Sequence, residues 1–92
     1  VMTRGAIYKT QRRAQRQPLA SQQATKIVGK FGGVRRLVRA MAQAGHLRNL
    51  SSVHRWMTAE GTNGIIPTSS ALAVKDAAAK VGVLLTPGDW AL

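Results

Sequence analysis

The 92 residues carry 14 Lys+Arg against 3 Asp+Glu, a formal net charge of +11, and contain no cysteine. That length leaves room for one small core and no second, and the lack of cysteine excludes a disulfide framework, a thiolate zinc site and a cysteine nucleophile. A hydrophobic content of 45% separates the chain from a disordered polycation, so the composition implies a small folded domain with affinity for a polyanion, nucleic acid foremost.

The charge is unevenly spread. Residues 1–20 hold Arg4, Lys9, Arg12, Arg13 and Arg16 and no acid, a net +5. Residues 21–60 hold seven cations against Glu60, a net +6, and in residues 61–92 Lys75 and Lys80 balance Asp76 and Asp89. The polyanion contact is therefore expected in the first two thirds, leaving the last third for folding or a protein partner. The basic start runs into Gln and Arg rather than a continuous apolar core, so no secretory signal is expected. The same start has the composition of an organelle transit peptide, a reading that suits a mature chain less well. No apolar run approaches the roughly 20 residues that cross a bilayer, so no membrane partner is expected.

Residues 1–20 read as a basic arm that Pro18 closes, and residues 21–92 as the folded domain. Lys9, Arg12, Arg13 and Arg16 are spaced i, i+3, i+4, i+7, one helical face. Like charges on one face disfavour the isolated helix, and phosphates would reverse that sign. The arm is thus either a solvated tail or a nucleic-acid contact.

The domain reads as all-α, a compact bundle of four to five short helices. Ala24, Ile27, Val28 and Phe31 predict a helix over about 21–30, with Ser21 as its cap and Gly32-Gly33 as its end. Val34, Leu37, Val38 and Met41 predict a second over about 33–44, stopped by Gly45. A polar, basic turn through His46, Arg48 and Asn49 follows. Val53, Trp56 and Met57 form the inward stripe of a third helix over about 51–60. Ala71, Val74, Ala77, Ala78 and Val81 form that of a fourth over about 67–81. Thr86-Pro87 reads as cap and first position of a last short turn ending at Trp90 and Leu92. The expected core is Ile27, Val28, Phe31, Val34, Leu37, Val38, Met41, Val53, Trp56, Ile66, Val74, Val81 and Leu85. Trp90 and Leu92 either complete it or meet a second copy.

Helix two, turn and helix three have the sequence form of a helix-turn-helix. A helix that enters the major groove needs an apolar stripe on one side and short polar or basic residues on the other. Opposite Val53 lie Ser51 and Arg55, flanked by Ser52 and His54. Arg55 has the reach to bond guanine, and the three others bases or phosphates. Ser51 equally suits a helix cap, and His54 a plain surface position. Arg35, Arg36 and Arg39 line the polar side of helix two without an interleaved acid, unlike an ordinary solvated face. With Lys26 and Lys30 they are the candidate phosphate contacts. Trp56 shares a stripe with Val53 and is expected in the core rather than as a stacking platform.

The stretches KIVGKFGGVRRLVRAM, LSSVHRW, GIIP and LTPGDW within residues 25–90 resemble small phage-type and prophage-type Cro/repressor-like helix-turn-helix regulators. The resemblance implies a bundle that reads operator DNA, often as a dimer, with recognition roles at Ser51, Ser52, His54 and Arg55. The turn from Gln43 to Leu50 is longer than usual in that family, which brings Arg48 and Asn49 in as further candidate base contacts.

Other signals are weaker. Gly29-Lys30-Phe31-Gly32 fits the GxxG of KH loops, but that fold needs a sheet. His46 and His54 lack a third ligand, so no metal is expected. No enzyme motif or cofactor site is recognisable. The expectation is a sequence-specific duplex-DNA-binding transcriptional regulator in the cytoplasm of a bacterial host, nucleoid-associated, with a homodimer and RNA polymerase or another transcription protein as further partners. The alternatives are a structural RNA-binding or nucleoid-type basic protein, and a module recruiting transcription or DNA-packaging machinery.

Overall fold

Ala24, Ile27, Val28 and Phe31 are all buried, and the helix that their spacing predicts is the first of four in the computed structural model, which describes residues 19–92. The order is α1 (Gln23–Phe31), α2 (Val34–Gln43), α3 (Leu50–Arg55), α4 (Thr68–Val81) and a closing 3-10 turn (Pro87–Trp90). No strand occurs among the described residues, and the fold class is all-α as the periodicity implies. The expected arm contacts Lys9, Arg12, Arg13 and Arg16 lie outside the described residues.

α2 is the centre of the packing. Its residues Leu37 and Met41 are wholly enclosed, and it lies along α4 while also touching α1 and α3. α4 turns Ala73, Val74, Ala77 and Ala78 inward. Small side chains on that face let the two axes approach closely, since interaxial distance follows side-chain size at the contact. Val53, Trp56 and Ile66 close the core from the α3 side.

Local chemistry sets the helix ends. The Ser21 hydroxyl accepts from the Gln23 amide at 3.1 Å, but the helix begins at Gln23 and its cap position falls on Gln22, not on Ser21 as expected. Gly32 and Gly33 carry the chain from α1 to α2, with the Gly33 amide donating to Val28 O at 3.1 Å. Thr86 precedes the last turn as expected. Its amide donates to Asp89 Oδ2 at 2.8 Å, and the Asp89 amide returns a bond to Thr86 O at 3.0 Å.

Four other expectations need correction. Helix three does not reach Glu60: α3 ends at Arg55. The reason lies in the turns after it. Thr58 donates its hydroxyl to Arg55 O at 3.2 Å and accepts from the Gly61 amide at 3.1 Å, drawing the chain back over the helix end. Gly61 then lies so close that a Cβ there would sit 1.9 Å from Arg55 O. Second, the cap of α3 is Asn49 and not Ser51. Third, Val81 is 43% exposed, because α4 ends there and Val83, returned by the turn at Gly82, packs against the core instead. Fourth, Val34, Val38 and Leu85 pack half-buried against the core rather than inside it; Trp90 does the same, and Leu92 is exposed.

A buried amide ties the ends of the domain together. Gln23, on α1, donates from Nε2 to Trp90 O at 2.7 Å and accepts from the Ile66 amide at 2.8 Å. Beside it the loop after α3 grips the start of α1: Ala24 donates to Gly64 O at 2.8 Å and Ala20 to Asn63 Oδ1 at 3.1 Å. Gly64 sits at φ 89° with no room for a side chain, since a Cβ would fall 1.8 Å from Ser21 O.

Candidate nucleic-acid interface

The outward face of α2 carries Arg35, Arg36 and Arg39, all exposed, and that of α3 carries Ser51, His54 and Arg55, all exposed. Ser52 is half-buried at the flank of α3, and Val53 points into the core at full burial. The sequence assignment of the inward and outward sides of α3 therefore holds over Leu50–Arg55. The outward side bears no large apolar group.

α3 is positioned by its cap. Asn49 Oδ1 accepts the Ser52 amide at 2.9 Å and the Ser51 hydroxyl at 3.1 Å, satisfying donors that a helix start leaves without partners. That carbonyl oxygen is engaged within the protein, so Asn49 serves as a cap rather than offering its oxygen to a base. The connection over residues 44–49 is longer than the three or four residues of a tight helix-turn-helix. It is pinned in two places. The His46 amide donates to Met41 O at 2.8 Å, and the His46 ring donates from Nε2 to Asp76 Oδ2 on α4 at 2.8 Å. Arg48, half-buried, folds its Nη1 onto Leu47 O at 2.9 Å.

One of the expected phosphate contacts, Lys30, has partners within the fold, and a second, Arg36, packs across the end of α1 while remaining exposed. Lys30 places Nζ 2.5 Å from Asp89 Oδ2 and 3.3 Å from Leu84 O. Its charge is neutralised within the fold, and it fastens α1 to the C-terminal turn. Arg36 lies across Gly32, so that a Cβ there would meet Arg36 Cδ at 2.8 Å. Its cation thus sits over the C-terminal end of α1, where the helix dipole favours positive charge. Lys26, Arg35 and Arg39 are exposed. Among the described residues the ion pairs are Lys30–Asp89 and His46–Asp76, and no arginine takes part in one.

The three acids are thus kept off the arginine-bearing helices. Asp89 is buried against Lys30, Asp76 bonds His46, and Glu60 lies in the turns after α3. The Asp89 carboxyl is held below the usual carboxylate range, first by the Lys30 ammonium and then by the Thr86 amide, against a smaller opposing effect of burial. Gln23, Asp89 and the His46–Asp76 pair did not stand out in the sequence as organising residues. Apart from the local Thr86–Asp89 cap, their partners lie 30 to 67 positions away, and no local pattern encodes such pairs.

The arrangement offers exposed guanidinium groups on two consecutive helices, with short hydroxyl and imidazole groups on α3 and no carboxylate on either helix. No group of three or more His, Asp or Glu side chains among the described residues is placed to hold a metal ion. No helix among them is long and apolar enough to cross a membrane. Comparison with protein-family models, with curated proteins and with solved structures finds no match to this chain.

Proposed function

We propose that the chain is a sequence-specific double-stranded DNA-binding transcriptional regulator of phage or prophage type, acting at the nucleoid in the cytoplasm of a bacterial host. In this reading α2, the pinned connection and α3 work as a helix-turn-helix with an enlarged turn. α3 enters the major groove, where Arg55 takes guanine O6/N7, and Ser51, Ser52 and His54 contact neighbouring base edges or phosphates. Arg35, Arg36, Arg39 and Lys26 meet phosphates and fix orientation, while Lys30 serves the fold. Arg48 flanks α3 and adds charge to the same surface. The basic arm follows the backbone or enters a minor groove.

The observation that carries this reading is the face itself: arginines on consecutive helices, none paired with a carboxylate, with the short polar residues Ser51 and His54 exposed on a capped helix. A structural RNA-binding protein shares the charge but has no use for a helix shaped to enter a groove, since A-form RNA hides its major groove from side chains. Repeated selection of bound fragments from a pool of random duplexes tests the proposal. Enrichment of a defined motif, undiminished by excess unrelated RNA, is the expected result. Failure to enrich any motif, or loss of the duplex to RNA competitor, contradicts it.

A further inference from the structure

One concavity among the described residues plays no part in the reading above. It is a groove of about 640 Å³ between α4 and the C-terminal turn, lined by Lys75, Ala78, Val83, Leu84, Leu85 and Trp90 among others. Its volume falls in the range of sites that enclose ligands, about 300–1,000 Å³. Leu84 stands on its rim 80% exposed. An isolated exposed leucine is ordinary, but one continuous with an apolar groove marks an interaction surface.

The groove is built before anything enters it. Gln23 holds Trp90 O at 2.7 Å, and Lys30 holds Asp89 at 2.5 Å and Leu84 O at 3.3 Å. Three groups on α1 and the C-terminal turn thus fix the wall on which Leu84 and Trp90 stand. A preformed site loses less ordering entropy on binding.

Charge decides between occupants. Lys75 places its Nζ 5.3 Å from the centre of the Trp90 ring, over the groove, and it takes part in no ion pair among the described residues. The carboxylates nearby are engaged, Asp89 with Lys30 and Asp76 with His46. A second copy docked groove to groove would bring two Lys75 side chains into one interface, between chains of net charge +11 each, and like charges facing across an interface are costly. A segment with an aliphatic or aromatic anchor flanked by Asp or Glu satisfies both the apolar wall and the cationic rim.

We propose that this groove is a docking site for an acidic peptide segment of another protein, with an apolar side chain of the segment lodged against Leu84, Leu85 and Trp90 and a carboxylate beside Lys75. The site stands independently of DNA binding.

Random dodecapeptides are selected on the full chain and counter-selected on Leu84→Asp, which removes peptides held by the arginine face. Leu84 is exposed, so the variant keeps its fold, and its circular dichroism checks this. The enriched peptides are expected to combine Asp or Glu with Leu, Phe or Trp. Their amide chemical-shift changes on the labelled full chain should fall at residues 78–85 and 90, and Lys75→Glu should weaken them about tenfold. No enrichment overturns the proposal. So does enrichment of neutral or basic peptides, or shift changes confined to residues 35–39 and 48–55. Self-association in sedimentation that Leu84→Asp abolishes would assign the groove to a second copy and overturn the acidic segment as its occupant.

Discussion

Asn49 and Gly64 show how single side chains decide this fold. Asn49 caps α3 with one oxygen that serves two donors. Asn49→Ala is expected to lower stability by about 1 kcal/mol and Asn49→Ser by much less, because a hydroxyl restores the cap; urea denaturation measures both. Gly64 stands at φ 89° against the Ser21 carbonyl. Gly64→Ala adds backbone strain to a steric conflict that only movement of α1 relieves, so its cost is expected at about 2–4 kcal/mol in the same experiment. The glycine was visible in the sequence only as part of a loop. The backbone that approaches it lies more than forty positions earlier, and sequence carries no mark of that approach. Gln23 was hidden for a related reason. A glutamine on an amphipathic helix reads as solvent-facing until the Ile66 amide and the Trp90 carbonyl are seen to converge on it.

At the level of elements, the stripes of α1, α2 and α4 were legible because each buries residues at i, i+3, i+4 and i+7 against a neighbour, and burial enforces that period. The same reasoning overextended α3. Trp56 and Met57 keep the helical period beyond Arg55 because the turns that follow still place them toward the core, Trp56 buried and Met57 half-buried. The period thus reports direction toward the core and not continuous helix. Thr58 and Gly61 were the available stop signals, and they act through hydrogen bonds to the end of α3. The outward positions Ser51, His54 and Arg55 survived this error because all precede the stop. The C-terminal turn makes a pH prediction. The Asp89 carboxyl titrates below its ordinary range in the fold, so its contribution is complete above the unfolded value of about 4 and is lost as pH falls through the lower folded value. Asp89→Asn should therefore be less stable than the parent at neutral pH. Its stability should also fall less steeply below about pH 4 when acid unfolding is followed by circular dichroism. Parallel curves for the two proteins would show that the Lys30–Asp89 contact does not respond to pH as its geometry requires.

Taken whole, the molecule carries only cations among the charged residues of α2 and α3, while Asp76 and Asp89 are engaged in the C-terminal third, which also holds the apolar groove. The net charge alone implies a polyanion and nothing about its sequence. Under the proposed function, the six exposed or flanking cations Lys26, Arg35, Arg36, Arg39, Arg48 and Arg55 give log K against log salt a slope of about −5 to −6. The arm adds up to five more contacts, so deleting residues 1–18 should make the slope shallower. Affinity titrations at several salt concentrations read both values, and a nearly flat dependence contradicts the electrostatic part of the account. Specificity rests on fewer groups. The most direct measurement is the affinity of Arg55→Ala for the selected duplex and for random duplex at one salt concentration. The account predicts a loss of about 1–3 kcal/mol on the selected site and little on random DNA; equal losses on the two would show that Arg55 touches only phosphate and would contradict groove reading by α3.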